Sequence, residues 1–198
     1  MARSSPGRTR CNTRRAPSVA PTTTWGIPDA LVVVDGATAG SGAAAGSGGA
    51  SVAKVTLAEC AFSPRVAVGD RLAVTSAVDR PAKLALRKRG TLDALVPGAP
   101  VPVMLPIAGH TAGMALDAGA IYSLETDEPE PEVAFIAAAP GGFVTDATGH
   151  VLVRDLPAGA HAVTAWLPPR GGQPARIGHG TATIIAGELA ELTVKLTQ

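Results

Sequence analysis

The stretch Phe143–Leu167, FVTDATGHVLVRDLPAGAHAVTAWL, constrains the fold more than any other part of this chain, because it sets turn residues at fixed offsets between apolar runs. Asp146-Ala147-Thr148-Gly149 predicts a tight turn. An Asp side chain bonds the backbone two residues on, and Gly accepts a positive φ without a Cβ clash. Beyond it Val151, Val153 and Leu156 are apolar while Leu152 interrupts strict alternation, which predicts a strand with one buried and one partly wet face. Leu156-Pro157-Ala158-Gly159 predicts a second turn, with Pro157 presetting its φ and Gly159 absorbing an awkward dihedral. In the following strand Ala160, Ala162, Thr164 and Trp166 fall on one face, and His161, Val163, Ala165 and Leu167 on the other. The stretch specifies an architecture and names no reaction.

With its turns and strands in register, the segment resembles the carboxypeptidase-regulatory-like module, a small transthyretin-like β-sandwich. The residues that carry the likeness are Thr145, Asp146, Gly149, Val151, Val153, Leu156, Pro157 and Gly159, with His161 standing where the family usually has an aromatic. Such modules are ordinarily non-catalytic, so the resemblance implies a binding or spacer role and brings no active-site residue with it. The positions expected to matter here are structural: Phe143, Asp146, Gly149, Pro157, Gly159 and Trp166.

The chain of 198 residues is long enough for one domain or two small ones, and 46% apolar content is ample for a core. Only 3% is aromatic, so that core must be built from Val, Leu, Ile and Ala. Many Pro and Gly between short apolar runs favour an all-β sandwich or barrel over helices. The net charge of +1 hides an asymmetry: residues 1–28 carry five Arg (Arg3, Arg8, Arg10, Arg14, Arg15) and no acid, leaving 12 basic against 16 acidic residues in the rest. This basic arm lacks interleaved aromatics and amphipathic periodicity, and reads as a solvated, disordered leader rather than a nucleic-acid contact. No apolar stretch follows its Arg cluster, so neither a signal peptide nor a transmembrane segment is visible, and Arg14-Arg15 does not suggest twin-arginine export. Either the chain stays in the cytoplasm or its true start lies upstream.

Ala30–Val34 reads as a buried strand ended by Asp35-Gly36, and the Gly/Ala/Ser run after it as a flexible linker. The run has neither a G-x-G-x-x-G pattern nor a G-K-[ST] ending, which argues against a phosphate-binding loop. From Val52 short strands resume: VAKVTLAECAF, RVAVG, RLAVTSAV and AKLALRK. Here Cys60, Phe62, Pro64, Val66, Val68 and Gly69 resemble the front half of a cupredoxin-like domain, and Ser76–Ala82 occupies the place of that family's first copper-binding segment. A blue-copper site needs two imidazoles, a thiolate and a weak axial thioether. Pro81, Ala82 and Lys83 fill the neighbourhood of the upstream His, and IYSLETDEPEPEVAFIA holds no Cys, His or Met where the ligand loop belongs. The resemblance, over residues 52–139, therefore implies the scaffold without its type 1 copper.

Other candidate sites have plainer readings. His110 and Met114, four apart between Gly109 and Gly113, offer soft donors, but GHTAG reads as a loop between strands. The acidic run Glu125, Asp127, Glu128, Glu130 and Glu132 offers oxygens to Ca²⁺, but Pro129 and Pro131 interrupt it and the spacing fits no EF-hand. The basic run Lys83, Arg87, Lys88 and Arg89 is placed to pair with it across adjacent strands. Cys11 and Cys60 are the only cysteines, with Cys60 read as a buried small hydrophobe. His150 and His161 read as exposed strand residues, and no G-x-S-x-G elbow accompanies them. After Pro168–Gly172 the runs ATIIA and ELAELTVKL read as strands that complete the sheet.

The expectation is an all-β protein: a disordered arm (1–28), a strand pairing with the C-terminal unit (29–36), a linker (37–51), a cupredoxin-like, Ig-like β-sandwich (52–139) and a transthyretin-like β unit (140–198). Its expected role is a non-catalytic binding or accessory module with no catalytic residue, cofactor or metal. An unidentified protein or carbohydrate is its ligand, and the resemblance alone implies a periplasmic or secreted location. The alternative is a copper-binding or electron-transfer protein.

Overall fold

The computed structural model describes residues 26–37, 51–59, 61–128 and 131–197, so most of the basic arm, residues 38–50 of the linker, Cys11 and Cys60 lie outside the described residues. Among the described residues the chain is all-β and sandwich-type, with thirteen strands in three sheets and no helix. The strands are β1 (Leu31–Val34), β2 (Val52–Ala58), β3 (Ala61–Ser63), β4 (Val66–Val68), β5 (Arg71–Ser76), β6 (Ala82–Lys88) and β7 (Pro100–Leu105), followed by β8 (Thr111–Ala115), β9 (Ile121–Thr126), β10 (Val133–Ala137), β11 (Gly142–Val144), β12 (Gly159–Leu167) and β13 (Arg176–Ile184). One sheet has the order β3-β2-β5-β8, a central one β4-β10-β9-β6-β7, and a third β11-β1-β12-β13.

Side-chain alternation decides how these sheets stack. In β2 and β5, Ala53, Val55, Leu57, Leu72 and Val74 are buried and their neighbours are not. They face Leu84, Leu86, Val103, Leu105, Tyr122, Leu124, Ala134 and Ile136 of the central sheet, making the largest core. The opposite face of the central sheet, through Val66, Ile121 and Ala137, meets Leu31 and Trp166 of the third sheet. That third sheet is apolar on its outer face too, where Val32, Val34, Val163 and Ala165 are buried. A strand covered on both faces reads as a continuous apolar run, which is why β1 is LVVV.

β1 lies between β11 and β12, antiparallel to both, with Leu31 opposite Val144 on one side and Trp166 on the other. Thr145 fastens this junction: its buried hydroxyl accepts from Ala30 N at 2.9 Å and donates to Ile27 O at 2.7 Å.

Three expectations are corrected. Val151–Leu156 forms no strand; it crosses the outer face of the third sheet irregularly, with Val151, Val153 and Leu156 packed onto the Val32/Val34 face. Asp155 sits at φ +58° and Pro157 has no N–H, so no ladder can run through the segment. ELAELTVKL is likewise no strand. It lies over β13, tied by Thr197 N–H to Ile177 O at 2.9 Å and Ile177 N–H to Thr197 O at 3.1 Å. A Cβ at Gly178 would meet the Lys195 carbonyl and the Val194 side chain, so glycine is what permits the approach. The third correction is GHTAG: Thr111–Ala115 is β8, and only Gly109 and His110 belong to the loop before it.

The edge strand β7 is guarded by its prolines. Pro100 and Pro102 stand opposite Arg87 and Ala85, and neither has an N–H to give β6, so both turn their nitrogens outward. An approaching strand finds two donors missing there.

Candidate binding cleft

The clefts of the described surface include two of differing make-up. The smaller, about 80 Å³, lies at one end of the sandwich, between the β5–β6 loop and the chain around Thr126–Glu132, and is lined by Glu59, Arg80, Lys83, Asp127, Glu128 and Glu132 among others. The cupredoxin-like resemblance would place copper in this neighbourhood. The lining supplies carboxylates, a guanidinium and an ammonium, with no imidazole, thiolate or thioether among the described residues, so it does not suit a copper site. Lys83 Nζ lies 3.4 Å from Asp127 Oδ2, an exposed pair.

The acidic and basic runs do pair across β6 and β9, as their signs suggest. Arg87 Nε reaches Glu125 Oε2 at 3.1 Å, while Arg89 donates to Glu125 Oε1 at 2.8 Å and to the buried Ser123 hydroxyl at 2.8 Å. Glu125 is thereby saturated by cations. Among the described residues no three His, Cys, Asp or Glu gather in a way that would hold a metal ion. His110 is exposed, whereas Met114 packs partly buried against the largest core. His110 stands in the loop before β8 while Met114 turns to the core, so the two side chains face different surroundings.

The larger cleft, about 140 Å³, lies between β10 and the loop after β12. Val133 and Phe135 supply one wall, Pro131, Pro168 and Pro169 supply others, and Arg65, Glu132 and Arg170 stand among them. The β alternation that sends Ala134 and Ile136 into the sandwich turns Val133 and Phe135 toward this side. Pro168-Pro169 stiffens the wall contributed by the loop, since each ring fixes its own φ. Beneath, Trp166 is 1% exposed and meets Phe135 edge to face. Its indole Nε1 has no acceptor among the described residues, so the ring is placed for its apolar surface. Arg65 pairs with Glu132 at 3.5 Å and Arg170 with Asp29 at 3.2 Å.

The structural positions expected from sequence are spread along one sheet rather than gathered in a site. Phe143 packs on the outer face with Val32 and Val34. Asp146 Oδ1 accepts from Thr148 N–H at 2.8 Å, Thr148 Oγ1 at 2.7 Å and His150 N–H at 3.0 Å; these bonds, the Thr148 hydroxyl first, hold its carboxyl below the ordinary range. Gly149 has φ +80° and lies against the backbone of Gly26 and Ile27. Pro157 is exposed but lends its carbonyl to His161, Gly159 opens β12 at φ +142°, and Trp166 anchors the inner core. His150 is exposed, though in the turn rather than on a strand. His161 is a correction: it is buried, at 8% exposure, on the apolar outer face.

Sequence reasoning missed the cleft. Phe135 and Pro168 are far apart in the chain, and neither belongs to a motif; the one signal available was the Pro168-Pro169-Arg170 loop itself. No protein-family model, no curated protein and no solved structure matches the chain.

Proposed function

We propose that the chain is a non-catalytic binding or accessory module of the bacterial cell envelope, and that it takes a short extended segment of a partner protein in the cleft beside Phe135. The observation that carries this reading is the make-up of the cleft, in which proline, valine and phenylalanine walls stand beside two arginines. Apolar walls with a few convergent polar groups are the usual form of a ligand site. Arg65 and Arg170 are about one-third exposed, and their partners Glu132 and Asp29 have side chains 19% and 42% exposed, so a ligand carboxylate can reach both guanidinium groups from solvent. A guanidinium takes a carboxylate through two parallel bonds, which would orient an acidic side chain over the Phe135 wall. The non-catalytic role rests on the resemblance around Thr145–Gly159, whose modules ordinarily carry no active site. Placement in the envelope rests on the resemblance around Thr145–Gly159, and the copper-handling alternative has no observation in its favour.

Selection of displayed peptides on the purified chain tests the reading, followed by the same selection on the double variant Arg65→Glu, Arg170→Glu. The expected result is a family of acidic, proline- or aromatic-containing peptides that bind the natural chain and lose binding to the variant. Equal binding by both would remove the cleft from consideration. A glycan array that gives binders where peptides give none would replace the protein ligand with a carbohydrate.

A further inference from the structure

His161 sits on an apolar face, yet both of its ring nitrogens are met by main-chain carbonyl oxygens. Nδ1 lies 2.7 Å from Asp35 O, and Nε2 lies 2.8 Å from Pro157 O. A carbonyl oxygen only accepts, so both nitrogens must donate, and only the imidazolium carries two N–H groups. A neutral ring would set one nitrogen lone pair against an oxygen lone pair inside hydrogen-bond distance. The two carbonyls belong to different segments. Asp35 is in the turn that ends β1 and leads into the linker, 126 residues from His161, while Pro157 closes the crossing that covers the outer face of the third sheet.

We infer that His161 is a protonation-dependent clamp, which as an imidazolium fastens both the turn after β1 and the turn before β12 to the outer face of the third sheet, and as a neutral ring releases one of them. The charges around it agree. The Asp35 carboxylate acts favourably on the ring, Arg154 and Asp155 of the crossing are exposed, and the cross-strand neighbour on β13 is Ala182. Glu188, Glu191 and Lys195 of the C-terminal segment are exposed as well. Hydrogen bonding to Asp35 O, then to Pro157 O, holds the imidazole above its ordinary value of 6.5 and outweighs the opposing effect of burial. With the folded value raised, the stabilising contribution is fully present below 6.5 and is lost as pH rises through the folded value. Released, the crossing would uncover Val32, Val34 and Val163, so the switch governs access to an apolar face.

The full chain labelled with ¹⁵N provides the test. Long-range proton–nitrogen spectra should show both His161 nitrogens protonated at pH 6.5, with a midpoint above that pH. The amide of Asp35, bonded to Ala162 O at 2.9 Å, should lose exchange protection beyond the intrinsic pH effect as the ring deprotonates. The variant His161→Gln should lack this pH-dependent loss, and its deficit in Tm against the natural chain should be largest at pH 5 and shrink by pH 9. A single protonated nitrogen at pH 6.5, or a Tm difference independent of pH, would overturn the clamp. If the variant does not fold, the titration of the natural protein decides by itself.

Discussion

Phe135 of β10 and Trp166 of β12 meet edge to face, ring centroids 5.5 Å apart and planes at 81°, joining two sheets that share no strand pairing. In a chain with so few aromatics this contact concentrates much of the adhesion between the central and third sheets. Trp166→Ala is therefore expected to lower stability by about 3–5 kcal/mol in denaturant unfolding. Trp166→Phe should cost far less, because the indole N–H it removes has no acceptor among the described residues. A double-mutant cycle with Phe135→Leu should give a coupling of about 0.5–1.5 kcal/mol.

Thr145 satisfies two main-chain groups with one hydroxyl, the Ala30 N–H and the Ile27 carbonyl. Thr145→Val keeps the shape and removes the partner for both. The expected loss is about 1–3 kcal/mol, with Thr145→Ser close to the natural chain. A loss for Thr145→Ser with none for Thr145→Val would locate the effect in the methyl group.

Gly149 and Gly159 both have positive φ but different surroundings. A Cβ at Gly149 would strike the backbone of Gly26 and Ile27, whereas nothing lies within 4 Å of one at Gly159. Backbone strain of this kind costs about 1–3 kcal/mol. Gly149→Ala adds a steric conflict to it and should melt at the lower temperature of the two. The reverse order would make dihedral strain alone the governing factor.

Asp146 is expected to lend stability that disappears in acid. Its folded-state pKa is depressed, so the contribution is present above the ordinary value of 3.8 and is lost as pH falls through the folded value. The gap in Tm between the natural chain and Asp146→Ala should narrow between pH 5 and pH 2. A constant gap would mean that the turn is held by its backbone alone.

Alternation made much of this fold legible: β2, β5, β6 and β12 lie within the runs whose apolar positions recur every second residue, and Asp146 forms the turn its type and spacing predict. What alternation cannot register is whether a strand finds a partner. Val151, Val153 and Leu156 are partly buried against the sheet, but as an irregular cover, because the third sheet needs its second apolar face hidden and β13 already occupies the far side of β12. His161 shows the same limit from the polar side. Its burial is made tolerable by the carbonyls of Asp35 and Pro157, one of them 126 residues away, and no local signal announces such a pairing. The Phe135 cleft was hidden for a third reason, since it exists only where β10 and the loop after β12 come together.

β1 is the first described strand to leave the ribosome and among the last to find its place. Both neighbours, β11 and β12, come from the far end of the chain, and the Thr145 bond that fixes its start spans 115 residues. The sandwich of β2 to β10 can close during synthesis while LVVV waits unpaired. Pairing across such separations is slow because the loop entropy must be met before the contacts repay it. The third sheet is thus complete only once the last three strands, β11 to β13, have been made.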